Sequence, residues 1–82
     1  MISEEFDKVK AGDILRIKSE EELGKMYDDI QLHPDCVRRL FGTTVKVVRV
    51  WDRYAIVEGS DAIWTQEDFE EIVYSPSRRY LV

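Results

Sequence analysis

One cysteine, one histidine, two prolines and four glycines in 82 residues leave several chemistries without material. A lone Cys36 closes no internal disulfide, so the fold has none of the cross-links that hold many small secreted domains and rests on its core. A tetrahedral metal site needs three or four well-placed donors. His33, Asp35 and Cys36 are close in sequence, but no second His or Cys exists to complete such a set. His33 reads as the residue before Pro34 at a helix entry, and Cys36 as a small packing residue or an exposed thiol. Catalysis by Cys36 would need a base within hydrogen-bond reach, and His33 sits only three positions away, which chain geometry rarely exploits. Glycine-rich phosphate loops, serine elbows and metal-ligating helices are missing as well. Neither an enzyme nor a cofactor is expected. No apolar run approaches the ~20 residues that cross a bilayer. The start, Met1-Ile2-Ser3-Glu4-Glu5, is acidic where a secretory signal is basic and then apolar, so the expected location is cytoplasmic.

What remains is a charged chain with enough apolar material for one core: 44% apolar, 35% charged, 17 acids against 12 bases and a net charge of -5. Ordinary per-residue stabilities give such a domain a total of roughly 4 to 12 kcal/mol. The charge is uneven. Residues 1–35 carry ten acids and five bases, 36–53 five bases and one acid, and 54–74 six acids and no base.

Hydrophobic periodicity divides the chain into short elements. Ser3 to Val9 suits one helical turn capped by Ser3, and Gly12-Asp13 a turn. Ile14 to Lys18 reads as a strand with Leu15 and Ile17 on one face. Ser19-Glu20-Glu21-Glu22 is a capping box that starts a short helix ending near Tyr27, with Leu23, Met26 and Tyr27 as its apolar stripe. Pro34 fits a first helical position, Val37, Leu40 and Phe41 a buried stripe, and Gly42 a left-handed cap. Thr44 to Trp51 is dominated by β-branched residues, and its alternation breaks at Val47-Val48. A bulge there turns Val45, Val47 and Val50 inward together. Asp52-Arg53 reverses the chain into Tyr54 to Glu58, Gly59-Ser60-Asp61 turns it again, and Ala62 to Thr65 is the next strand of a meander. Thr65 caps a short turn through Phe69, and Glu70 to Tyr74 returns extended. Five short strands in so small a chain best protect their edges by closing on themselves. The expected fold is mainly β: a five-stranded SH3-like barrel with a helical insertion between strands 1 and 2. The main competitor is an α+β sandwich. The domain spans 1–82, with the barrel at 10–74 and a tail at 75–82 that ends in Arg78-Arg79 and the apolar Tyr80-Leu81-Val82.

The order of Gly12-Asp13, a strand, Ser19-Glu20-Glu21-Glu22-Leu23, a helical insert, Gly42 before a valine-rich strand, and Ala62-Ile63-Trp64-Thr65-Gln66-Glu67-Asp68-Phe69-Glu70 resembles the small SH3-like proteins of bacteriophages and prophages. The resemblance covers residues 10–74 and leaves out 1–9 and 75–82. Its motifs are mostly turn and core chemistry, so it implies fold more than function. Asp52-Arg53 departs from the pattern, because relatives often carry an acidic-glycine turn there.

Runs such as Glu20-Glu21-Glu22, Asp28-Asp29 and Glu70-Glu71 usually mark solvated faces or helix starts. An interaction module would instead present Glu20, Glu21, Glu22, Asp28, Asp29, Glu67 and Asp68 to a protein partner. Trp51 and Tyr54 would be the aromatic contacts, while Trp64 and Phe69 belong to the core. The phage resemblance implies a sharper form: an acidic inhibitor occupying the nucleic-acid channel of a host defence nuclease, an anti-CRISPR protein acting on a CRISPR nuclease being one instance. The rival is direct binding of single-stranded nucleic acid through Arg38, Arg39, Lys46, Arg49 and Arg53 with Trp51 and Tyr54 as stacking faces. Against the rival stands the acidic balance of the whole domain. A purely structural or self-associating domain is the third reading.

Overall fold

A computed structural model of the protein describes residues 1–76, so the tail segment Arg78 to Val82 lies outside the described residues. Its elements are α1 (Ser3–Phe6), β1 (Ile14–Ile17), α2 (Glu20–Met26), a 3-10 turn (Ile30–Leu32), α3 (Asp35–Arg38), β2 (Thr44–Trp51), β3 (Tyr54–Val57), β4 (Trp64–Thr65), a second 3-10 turn (Gln66–Asp68) and β5 (Phe69–Tyr74). The strands form one five-stranded antiparallel sheet in the order β4-β3-β2-β1-β5.

Strand β2 organises the sheet. Its first half pairs with β1, Val45 opposite Leu15, and its second half pairs with β3, Val50 opposite Ala55. Between the halves the register shifts from Val47 to Arg49, which is the bulge expected from the broken alternation. Val45 and Val47 are buried and Val50 packs against the core, while Val48 is turned out to solvent. One strand thereby serves two directions of pairing.

Local chemistry explains most boundaries. Ser19 Oγ accepts from the Glu22 amide (3.2 Å) and starts α2, which ends at Tyr27. Gly12 and Gly42 hold φ of +97° and +79°, the left-handed region that a side chain disfavours. Four expectations need correction. Ser3 is the first helical residue rather than the cap; Ile2 stands at the cap, and the Ser3 hydroxyl is drawn to Gln66 instead. Pro34 precedes α3 as its cap, because its ψ of 151° is extended. Met26 leaves the apolar stripe of α2 and is exposed, its sulfur accepting from the Lys18 ammonium at 3.7 Å. The predicted fourth strand is also shorter, since Ala62 and Ile63 run ahead of β4 unpaired.

The core gathers Leu15 and Ile17 of β1, Val45 and Val47 of β2, Ala55 and Val57 of β3, Trp64 and Phe69. Two segments outside the expected 10–74 barrel belong to it. Phe6 and Val9 are buried, and the Phe6 ring stacks on Phe69 at 6.1 Å. At the other boundary Ser75 is buried, its hydroxyl donating to Asp13 Oδ1 (2.7 Å), while Asp13 Oδ2 accepts from the Lys10 amide. A fully buried carboxyl group is costly unless it is hydrogen-bonded, and these two bonds give each of its oxygens a donor. Asp13 thus ties the first turn to the end of β5.

Candidate interaction surface

The helical insert between β1 and β2 folds over one end of the sheet. Leu23 of α2 and Ile30 of the first 3-10 turn are buried, and Val37 and Phe41 pack partly against the same core. Across from them stand β4 and the second 3-10 turn. One hydrogen bond spans the two: the Tyr27 hydroxyl donates to Asp68 Oδ1 at 2.9 Å, linking residues 41 apart in sequence. Asp68 Oδ2 accepts from the Thr65 amide (2.9 Å), which fixes the carboxylate in place. Burial, followed by its bonds and charges around Asp68, holds the Tyr27 phenol above its ordinary pKa, against an opposing contribution from Thr65.

Between insert and turn lies an open groove of about 510 Å³. Its walls are mostly apolar, from Leu23, Ile30, Val37, Phe41, Ile63 and Trp64, and its polar members include Asp29, His33, Thr65 and Asp68. Trp64 meets the Phe41 ring edge to face at 6.2 Å. Among the described residues no lysine or arginine lines it.

Of the candidate acids, Asp29 and Asp68 line the groove. Glu20, Glu21 and Glu22 occupy the first turn of α2, Asp28 and Asp29 follow its end, and Glu67 and Asp68 lie in the second 3-10 turn. They are not equivalent. Glu20 is held by Arg38 (Nη2 to Oε1 2.6 Å), which also favours the charged guanidinium. Asp68 is committed to Tyr27 and Thr65. Glu21, Glu22, Asp28, Asp29 and Glu67 are exposed and form no ion pair among the described residues.

The candidate bases are more scattered. Arg38 belongs to the Glu20 pair, and Arg39 follows it at the end of α3. Lys46 lies opposite Ile14 in the β1 half of β2, while Arg49 lies in the β3 half. Arg53 sits in the hairpin turn beside Asp52, whose φ is +46°. At that hairpin the Arg49 guanidinium stands 5.4 Å over the Trp51 ring, and Trp51 and Tyr54 are 6.1 Å apart. Trp51 is 39% exposed beside the turn. Of the basic set, Arg49 is the one placed over an aromatic ring, with Arg53 in the turn of the same hairpin.

Cys36 is an exposed free thiol, and among the described residues no cluster of His, Cys, Asp and Glu is arranged to hold a metal ion. No described helix is long and apolar enough to cross a membrane. No family model matches the chain, and neither a curated protein nor a solved structure is similar to it. The groove was the part that reading the sequence missed. Its walls come from α2, the first 3-10 turn, α3 and β4, and the only advance sign was apolar residues in the insert beyond those its short helices needed.

Proposed function

We propose that the chain is a non-enzymatic protein-interaction module of the kind mobile elements encode, built on an SH3-like barrel. The strand order, the bent β2 shared between two pairings, and a 3-10 turn directly before β5 support barrel closure. The observation that carries the functional reading is the set of exposed carboxylates that form no ion pair among the described residues, Glu21, Glu22, Asp28, Asp29 and Glu67, with Asp29 on the wall of an apolar groove. Such a surface steers toward a basic partner and repels nucleic acid. In its sharper form the partner is a host nuclease whose nucleic-acid channel the acidic face fills.

The test is capture from a bacterial lysate with the wild type and with Glu21→Lys/Glu22→Lys, at low and high salt. Wild-type capture that fades with salt and is lost in the double variant is expected. Thermal stability should stay within about 1 kcal/mol, because both side chains are exposed. Capture that the double variant leaves unchanged would refute acidic recognition. Inhibition of the captured protein's nuclease activity checks the sharper form.

A second reading rests on the hairpin, where Arg49, Trp51 and Tyr54 form a small cationic stacking platform for single-stranded nucleic acid. A single-stranded oligonucleotide titrated at low salt should leave the protein unshifted under the first reading. A salt-sensitive shift confined to the hairpin would favour the second.

A further inference from the structure

We infer that the groove between the helical insert and the β4–β5 turn is where a partner is read, and that its occupant is an apolar side chain of a protein segment flanked by arginine or lysine. This rests on the protein-interaction reading and names the chemistry that the reading leaves open.

The shape argues for a side chain in an extended segment. A volume of about 510 Å³ lies in the range of sites that hold small ligands or anchoring side chains. Ile63 is 61% exposed, so the apolar lining runs out onto open surface, where a site for an isolated small molecule would be enclosed. Leu23, Ile30, Val37, Phe41 and Trp64 supply an apolar floor that an aliphatic or aromatic anchor would cover.

Charge decides what flanks the anchor. Among the described residues the lining holds Asp29 and Asp68, one imidazole and no permanent cation. Asp68 is spent on Tyr27 and Thr65, whereas Asp29 is exposed and its side chain makes no cap bond to the 3-10 turn it precedes. Glu67 and Asp28 extend the same sign beyond the groove. A flanking acid would meet uncompensated carboxylates, and a flanking base would neutralise them.

The probe is an acetylated pentapeptide with leucine between two arginines. The controls are leucine between two glutamates and alanine between two arginines. Trp51→Phe leaves Trp64 as the sole indole, so its emission reports the groove wall directly, and amide chemical shifts locate the binding. The arginine–leucine peptide should move Trp64 emission and the amides around Ile30, Val37 and Ile63, and both controls should bind at least fivefold more weakly. Asp29→Lys should weaken the probe about fivefold, the upper range for an exposed pair. Ile63→Ser should weaken it ~tenfold through lost apolar contact. Both changes are at exposed positions, so an unchanged melting midpoint confirms that the fold is kept.

Equal binding of the leucine and alanine peptides, indifferent to Ile63→Ser, would overturn the groove as the reading site and leave the acidic interaction surface standing. Failure of all peptides would also overturn it, and the lysate capture then judges the module reading separately. An oligonucleotide shifting the groove amides would overturn both.

Discussion

Tyr27 shows how much one side chain can settle. Nothing in the sequence marks it beyond a place in a short apolar stripe, yet its hydroxyl holds the insert to the turn before β5. Its raised pKa has a stability consequence with a definite sign. Above the ordinary tyrosine value near 10 the unfolded chain releases its proton first, so the native state binds more protons and stability falls as pH rises toward the folded pKa. Below that window the contribution is fully present. Tyr27→Phe should remove this part of the alkaline loss, seen as a smaller drop in unfolding free energy above pH 10 than in the wild type. At neutral pH the same variant should cost about 1 kcal/mol for the lost bond to Asp68. Asp13 is the opposite case. Its pairing with Gly12 was legible as a turn, but its burial was not, because Ser75 reaches it from the far end of the chain.

Among the elements, β2 and the insert behave differently toward sequence reading. The bulge in β2 was legible because a pleated strand alternates with a period of two, and Val47-Val48 breaks that alternation wherever the strand is placed. The end of the insert was legible through Gly42, whose φ of +79° returns the chain to β2. Its amide donates to the Lys18 carbonyl (3.0 Å), and an added Cβ would meet only ordinary contact there, at 3.8 Å from Ser19 Cα. Gly42→Ala should therefore destabilise by about 1–2 kcal/mol through backbone conformation alone, measurable by denaturant unfolding with an unchanged m-value. The insert's interior was not legible. Helices as short as α2 and α3 have little stability of their own, so packing decides which faces they bury, and packing left Met26 out.

At the scale of the whole molecule, Phe69 is where the N-terminal segment and the sheet meet. It is fully buried, stacked on Phe6 and 6.5 Å from the Trp64 ring. Phe69→Ala should cost about 3–5 kcal/mol, comparable with the lower end of the roughly 4–12 kcal/mol available to a domain this size. Loss of the cooperative thermal transition, or a collapse of its midpoint, is the expected result. The sequence by itself determined the mainly β character, the strand that bends, the positions of the left-handed glycines and the excess of acid. Each follows from local periodicity, backbone sterics or composition, which need only neighbouring residues. Only the tertiary structure decided that Phe6 joins the core, that Glu20 and Arg38 neutralise each other, and that Leu23, Ile30, Val37 and Trp64 wall one groove. Those contacts join residues far apart along the chain, and their partners are chosen by how the sheet and the insert pack together rather than by any short-range preference.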